Sequence, residues 1–278
     1  MNLMKSFRTV CSLTLVLAFF AAVVAVLLAG MPVPDKRAYA GCDDAGAGIA
    51  CGLSVASAPQ VSEALGAGEG EVVRAAEDGS ASEAVSPQAV EPVDFAAHVE
   101  ALLQYPEFPA GCESAALAVA LRSMGFEVAL GEIVEGYLPI DPSRTDFVNA
   151  FGGDPRSGGG AYAPALVRTA NAYLADHGSD RVAHDLTGAS FDELLEWVRA
   201  GYPVLVWTTM YGAEPAFTGQ TFEGREWYSN EHCVVLYGID PDTGALSVSD
   251  SLEGLVTRDA ASFERLYEAC GSMALVIA

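Results

Sequence analysis

The stretch QYPEFPAGCESAALAVALRSMG, residues 104 to 125, decides how the chain is interpreted. A turn-rich leader runs into Cys112, and the strongly apolar, Ala-rich run that follows stops at Gly125. Apolar residues at helical spacing and a glycine at the stop predict a helix from Cys112 to Met124. A helix N-terminus stabilises negative charge, so a thiol placed there can be a nucleophile. The alternative is that Cys112 is an ordinary small core residue, because cysteine is frequently just buried.

Before residue 201 the sequence pattern predicts mainly helices. Asp94 is expected to cap a short helix that runs to about Leu103. Further helices are predicted for residues 125–137, from Pro164 to about Asp176, and after the capping box Ser190-Phe191-Asp192-Glu193 up to Gly201. The intervening residues 139–163 are predicted to form a long loop, which in a compact domain is usually functional or mobile.

In the last third of the chain the spacing of apolar residues changes from the period of a helix to that of a β-strand. Short β-rich runs occupy residues 203–210, 232–240, 245–250 and 273–278, and PDTG between two of them reads as a hairpin turn. Helices followed by antiparallel strands predict an α+β fold, with a helical N-terminal half packed on a C-terminal antiparallel sheet.

A base for Cys112 must come from another part of the chain. The sequence has four histidines, and His232 is the one that opens an apolar strand. Asp250 ends the next strand, so antiparallel pairing across PDTG would bring it beside His232, where a carboxylate can orient an imidazole. Asp240 is a competing third member, but it lies at the hairpin end. The other three histidines are interpreted as surface or helix-end residues: His98, His177 and His184.

The N-terminal third is not expected to belong to the folded domain. Lys5 and Arg8 precede an apolar run and the pattern Ala38-Tyr39-Ala40, which indicates a signal peptide or an N-terminal membrane anchor in residues 1–40. Residues 41–92 are rich in Ala, Gly, Ser and acids without an aromatic residue, which predicts a disordered acidic linker. The domain is therefore expected in residues 93–278, outside the cytoplasm, either secreted or anchored at the membrane.

Composition limits the partners and cofactors. A net charge of −23 with only 14 basic residues argues against a nucleic-acid partner. No Cys/His spacing suits zinc, and we expect no metal and no cofactor. Six cysteines are too few for a disulfide scaffold, although pairing of Cys42 with Cys51 or of Cys233 with Cys270 stays open. We expect a monomer whose partner is a peptide or protein substrate or cell-envelope material.

Several blocks in order resemble the exported branch of the C39-like cysteine peptidase family, which is papain-like and related to bacteriocin leader-processing peptidase domains. They are PAGCESAALAVALRSMG, DFVNAFGGDPRSGGGAYAP, GYPVLVW, EHCVVLYGID and VSDSLEG, and the resemblance covers nearly all of residues 95–278. It implies a papain-like α+β fold and a thiol nucleophile. The bacteriocin-processing enzymes also carry transporter domains, which this sequence does not contain, so leader cleavage is not carried over.

The resemblance also implies roles for single residues. Cys112 would be the nucleophile, His232 the general base, Asp250 the orienting carboxylate and Gln104 an oxyanion donor. Gln104 lies farther from the cysteine than in papain-like enzymes, and Ser251 stands where the family usually has proline.

The resulting hypothesis is an exported thiol-dependent peptidase or amide hydrolase that works through an acyl-enzyme. Two alternatives use the same fold: an inactive domain that binds peptide or wall polymer, and a transamidase that passes the acyl group to an amine. Glu113, beside Cys112, adds negative charge that could oppose thiolate formation, and we interpret it as structural.

Overall fold

The structure is a computed structural model that describes residues 86 to 278. The predicted signal or anchor, most of the predicted linker and the Cys42–Cys51 pair lie outside the described residues. Within residues 86–278 no helix is long and apolar enough to cross a membrane.

The described residues form five α-helices and eleven strands. The helices are α1 (Cys112–Ser123), α2 (Leu130–Glu132), α3 (Ala163–Asp176), α4 (Phe191–Arg199) and α5 (Ala260–Ala269). The strands are β1 (Ile140–Asp141), β2 (Phe151–Asp154), β3 (Gly158–Gly160), β4 (Ala183–Asp185), β5 (Val204–Thr209), β6 (Phe217–Phe222), β7 (Arg225–Tyr228), β8 (Glu231–Ile239), β9 (Leu246–Asp250), β10 (Gly254–Arg258) and β11 (Ala274–Ile277). Short 3-10 turns cover Pro87–Ala89, Phe95–His98 and Met210–Gly212, and a π-helical turn covers Ile133–Tyr137.

A six-stranded sheet in the order β10-β9-β8-β5-β11-β4 forms the centre of the fold, and all its pairings are antiparallel. Successive side chains of a strand point to opposite faces. Trp207 and Cys233 therefore pack in one apolar cluster with α1 and α3. Val206 and Val234 pack in a second cluster with α4 and α5. Helices on both faces of an antiparallel sheet make this the α+β fold that the sequence predicts.

Helix α1 begins and ends where the sequence predicts, within one residue. It is buried on almost every side, including Ala115, Ala118 and Ala120, none of which is exposed. Alanine suits this position because a helix surrounded by other elements needs small side chains for close approach. Gly125 has a φ of +92° and ends the helix in the left-handed conformation that glycine adopts readily.

The helix predicted from Asp94 to Leu103 is wrong, because only the single turn Phe95–His98 forms there. Asp94 makes no capping hydrogen bond through its side chain. The backbone of this segment bonds elsewhere: the Val93 and Ala96 amides donate to Ala200 and Gly201 after α4. Tertiary pairing has replaced the local helical bonds.

The long loop predicted over residues 139–163 is partly wrong. It contains the small sheet β1-β2-β3, in which Gly153 pairs with Gly159. A Cβ atom at Gly153 would lie 2.3 Å from the Gly158 carbonyl oxygen, so the glycines allow two backbones to approach closely. The glycine run thus builds a ribbon, which a pattern search for apolar strands does not detect.

Candidate active site

His232 and Asp250 meet at one end of the central sheet. β8 starts at Glu231, β9 ends at Asp250, and the two strands are antiparallel neighbours. His232 Nε2 lies 2.8 Å from Asp250 Oδ1, and both side chains are buried. The carboxylate can only accept, so Nε2 carries the proton and Nδ1 is left as the basic nitrogen. The hairpin between the strands places this pair as the sequence predicts.

Asp250 is held in its ionised form. Burial raises its pKa, but the hydrogen bond from His232, the Leu252 amide and the Arg258 guanidinium outweigh burial and lower the pKa below its ordinary value. Arg258 Nη2 lies 3.1 Å from Asp250 Oδ2, and the Leu252 amide donates to Oδ1 at 2.8 Å. An ionised Asp250 can fix the imidazole and stabilise its charged form.

The chain should lose stability in acid through Asp250. A carboxyl group with a depressed native pKa stabilises the fold above its unfolded pKa, about 3.9, and this contribution disappears as the pH falls through the native pKa. The difference in unfolding free energy between the wild-type chain and Asp250→Asn should therefore shrink between pH 5 and pH 2. Urea unfolding at several pH values measures it, and a difference that stays constant would contradict the assignment.

The thiol of Cys112 lies at the start of α1 but faces two carboxylates. Gly111 is the N-cap residue, and the Cys112 Sγ–H group points to Glu113 Oε2 at 3.2 Å, with Glu231 Oε2 at 3.9 Å. Burial raises the pKa of this thiol well above its ordinary value, and the charges of Glu113 and Glu231 raise it further. In this arrangement Cys112 stays protonated.

The structure does not join Cys112 to His232 by a hydrogen bond. Among the described residues, His232 Nδ1 is buried without a partner, and Nε2 belongs to Asp250. Alternation along β8 places Cys233 on the α1 face, in the cluster that contains Cys112. His232 points to the opposite face. The predicted residues therefore form two adjacent groups, His232 with Asp250 and Cys112 with two glutamates.

The glutamate pair is the feature that sequence reasoning missed. Glu113 and Glu231 are both almost completely buried. Burial raises the pKa of Glu113 to about 7 although the Ala161 amide donates to it at 2.6 Å, and burial and Glu113 together raise the pKa of Glu231 well above its ordinary value. A signal was present, since one glutamate follows Cys112 and the other precedes His232.

Gly160 leaves the space that this pair occupies. A Cβ atom there would lie 2.5 Å from the Trp227 ring, 3.0 Å from Glu231 Oε2 and 3.2 Å from Glu113 Oε1. We expect Gly160→Ala to lower the unfolding free energy by about 1–3 kcal/mol, because the added methyl group overpacks the core. Gly136→Ala is the matched control, since nothing lies within 4 Å of its added Cβ. Equal unfolding free energies for the two variants would contradict this packing.

Gln104 connects the leader before α1 to the end of β9. Its Oε1 accepts from Ser251 Oγ at 2.6 Å, and its Nε2 donates to the Pro109 carbonyl oxygen. The backbone N–H of Gln104 also donates to the backbone carbonyl oxygen of Ser251 at 3.1 Å. Ser251 thus holds Gln104 in place. One of the two Nε2 protons is engaged by Pro109, and the second is available for another acceptor.

The remaining cysteines and histidines have structural surroundings. Cys233 and Cys270 are free buried thiols, so the disulfide left open by the sequence does not form. His177 ends α3 and stacks on Tyr173 with ring centroids 4.0 Å apart. His184 is not in a surface loop as expected, because it lies half-buried in β4 and pairs with Val276.

Trp207 and Trp227 have different surroundings. Trp207 is fully buried and donates from Nε1 to the Ala161 carbonyl at 2.8 Å, so it belongs to the core. Trp227 packs on Phe147 with ring centroids 4.4 Å apart. The Trp227 ring also lies against Gly160, where an added Cβ atom would be 2.5 Å from it.

A cysteine at a helix N-terminus, packed against an antiparallel sheet whose end carries a His–Asp pair, is the architecture of papain-like cysteine peptidases. The Peptidase C39-like family model matches residues 94–275, and the chain belongs to this family. No curated protein matches the chain.

Three solved structures are similar to the chain to different degrees. A C39-like peptidase from Bacillus anthracis is 30% identical, covers 68% of this chain and 98% of its own, and superposes with a TM-score of 0.58. The peptidase domain of Streptococcus ComA, a bi-functional ABC transporter involved in quorum sensing, is 15% identical over 65% of this chain and 98% of its own, with a TM-score of 0.40. Xylellain, a cysteine protease from Xylella fastidiosa, is 15% identical over 69% and 87%, with a TM-score of 0.38.

Proposed function

We propose that this chain is an exported thiol-dependent peptidase or amide hydrolase with the triad Cys112, His232 and Asp250. The observation that supports it best is the buried hydrogen bond of 2.8 Å between His232 Nε2 and Asp250 Oδ1. A partnered Nε2 leaves Nδ1 as the only ring atom able to take a proton.

The reaction is acyl transfer. His232 Nδ1 takes the Cys112 proton, and the thiolate attacks the carbonyl carbon of a peptide or amide bond. The imidazolium then protonates the leaving amine, and water releases the acyl group from sulfur. The Cys112 amide, among the first of α1, and the second Nε2 proton of Gln104 stabilise the oxyanion.

Catalysis requires the thiol to leave its resting contacts. Its 3.2 Å contact with Glu113 holds the proton on sulfur and away from His232. Because His232 points away from α1, the start of β8 must rearrange together with the Cys112 side chain to bring Sγ from the carboxylates to Nδ1. In this second position the thiol is reactive, whereas in the resting position it is protonated. Substrate binding that favours the second position would couple activation of the thiol to occupancy of the site.

Gln104→Ala should reduce kcat by about 10²–10³-fold and change KM little, because one oxyanion donor acts on the transition state. Steady-state kinetics on a cleaved peptide measures both constants, and Gln220→Ala, at an exposed glutamine of β6, is the control. A variant that raises KM alone would mean that Gln104 binds substrate and does not stabilise the oxyanion.

The function is tested with a diverse peptide mixture. The chain is incubated in ¹⁸O-water with and without an added primary amine, and the products are identified by mass spectrometry. The proposal predicts new carboxyl termini that carry ¹⁸O and are absent with Cys112→Ala. Amine-linked products alone would identify a transamidase. Binding without any product, at every peptide tested, would identify an inactive binding domain.

The export part of the proposal concerns residues 1–40 and the linker 41–92. The charged start, apolar run and small-residue pattern support an extracytoplasmic location, with the N-terminal segment as the only membrane contact. Cell fractionation with N-terminal sequencing of the mature chain checks it. A cytoplasmic chain that keeps Met1 would contradict export.

A further inference from the structure

The group formed by Cys112, Glu113 and Glu231 has the composition and spacing of a metal site. One sulfur and two carboxylate oxygens lie within 4.8 Å of one another, and all three residues are buried. The sulfur is 3.2 Å from Glu113 Oε2 and 3.9 Å from Glu231 Oε2. Tetrahedral zinc, with bonds of about 2.3 Å to sulfur and about 2.0 Å to oxygen, places such ligands about 3.5 Å apart.

The two carboxyl groups have no cationic partner among the described residues. Among the described residues, neither Glu113 nor Glu231 takes part in an ion pair with Lys, Arg or His. Glu231 Oε1 is completely buried and accepts no hydrogen bond. Buried carboxylates are normally paired, protonated or bound to a metal, so Glu231 has an unused acceptor oxygen on the carboxyl group that lies beside the thiol.

The surrounding backbone already orients one ligand. The Ala161 amide donates to Glu113 Oε1 at 2.6 Å, which turns Oε2 toward the thiol. Such second contacts fix the direction of metal ligands in established sites. Gly160 keeps the space beside both carboxylates free of a Cβ atom.

We propose that Cys112, Glu113 and Glu231 bind a thiophilic divalent cation, Zn²⁺, in a site that switches off the nucleophile. Zinc displaces the thiol proton and any carboxyl proton to solvent, and three protein ligands leave a fourth position for water. A thiolate bound to zinc cannot attack a carbonyl or reach His232. The inhibitory consequence rests on the proposed function, whereas binding itself does not.

Binding is tested on the full chain after metals have been removed with a chelator. Co²⁺ is titrated as the spectroscopic probe, and a thiolate-to-cobalt charge-transfer band that saturates at one equivalent is expected. In parallel, saturating Zn²⁺ should slow iodoacetamide labelling of Cys112 by at least about tenfold. Mg²⁺ and Ca²⁺ should have no such effect because they avoid thiolate ligands.

Variants assign the ligands. Cys112→Ser should abolish the cobalt band, and Cys233→Ser should leave it intact. Glu113→Gln and Glu231→Gln should each weaken zinc binding by at least about tenfold, whereas Glu264→Gln, which removes one exposed charge from α5, should not. Circular dichroism checks that each variant is folded. If a variant does not fold, the cobalt titration and the zinc protection of the wild-type chain decide whether the metal site exists.

Two results would overturn the site: no cobalt band and no zinc protection in the wild-type chain, or a band that survives Cys112→Ser. The outcome is independent of the proposed function, because neither readout uses hydrolysis. A chain that binds zinc but cleaves no peptide would contradict the enzyme alone. A chain that Cys112→Ala inactivates but that binds no zinc would contradict the metal site alone.

Discussion

Cys112→Ala is expected to reduce peptide hydrolysis by at least about 10⁴-fold, because in the proposed mechanism the Cys112 thiol forms the acyl-enzyme. Loss of a nucleophile removes the whole covalent route, so kcat falls while peptide binding persists. The matched control is Cys233→Ala, at a buried free thiol of β8 in the same apolar cluster. Progress curves on one cleaved peptide, followed for both variants, measure the effect.

Parallel losses in the two cysteine variants would mean that packing, and not nucleophilic attack, explains the result. Cys112→Ser refines the comparison because it keeps the size of the side chain. Since an alcohol is a much poorer nucleophile at neutral pH, this variant should also be nearly inactive. A Cys112→Ser chain with a substantial fraction of wild-type activity would contradict the thiol mechanism.

His232→Ala is expected to produce the second largest loss, about 10³–10⁴-fold or more in kcat, because in the proposed mechanism the thiol loses its base. Asp250→Asn should cause a loss of similar order by removing the carboxylate that holds the imidazole at 2.8 Å. The double variant should be little worse than His232→Ala, since residues that act as a unit are not additive.

His98→Ala is the control for the histidine, because His98 is exposed and lies on the single turn before α1. Its kcat should equal that of the wild-type chain. Independent, multiplying losses from His232→Ala and Asp250→Asn would indicate that the two residues act separately and would contradict a triad.

The main elements could be predicted from local patterns alone. α1 has an Ala-rich run and a glycine stop, α4 has a capping box in which Ser190 accepts from the Glu193 amide, and β8 and β9 are joined by a recognisable turn. These signals lie within a few residues of the element they define. The strands' antiparallel order then places His232 beside Asp250 without further information.

Other features depend on contacts between distant residues and could not be predicted in this way. The glycine-rich strands β2 and β3 form because their two backbone segments approach closely and pair. Residues 93–96 form hydrogen bonds with the turn after α4. The side chain of Glu231 could be placed on the α1 face by alternation, but only its 3.9 Å distance from Cys112 identifies a carboxylate pair around the thiol. Similarly, the sequence alone marks Ser251 only as a difference from the family pattern, whereas in the structure its hydroxyl group donates to Gln104.

The most direct test of the central claim is the rate at which iodoacetamide labels Cys112, Cys233 and Cys270 in the metal-free chain near neutral pH. Peptide mass spectrometry resolves the three sites in one experiment. If the Cys112 thiol leaves its resting contacts with Glu113 and Glu231 and passes its proton to His232, Cys112 reacts fastest although its resting form is protonated, and His232→Ala lowers its rate toward those of the other two. A Cys112 that reacts no faster than Cys233, with a rate unchanged by His232→Ala, would contradict the claim.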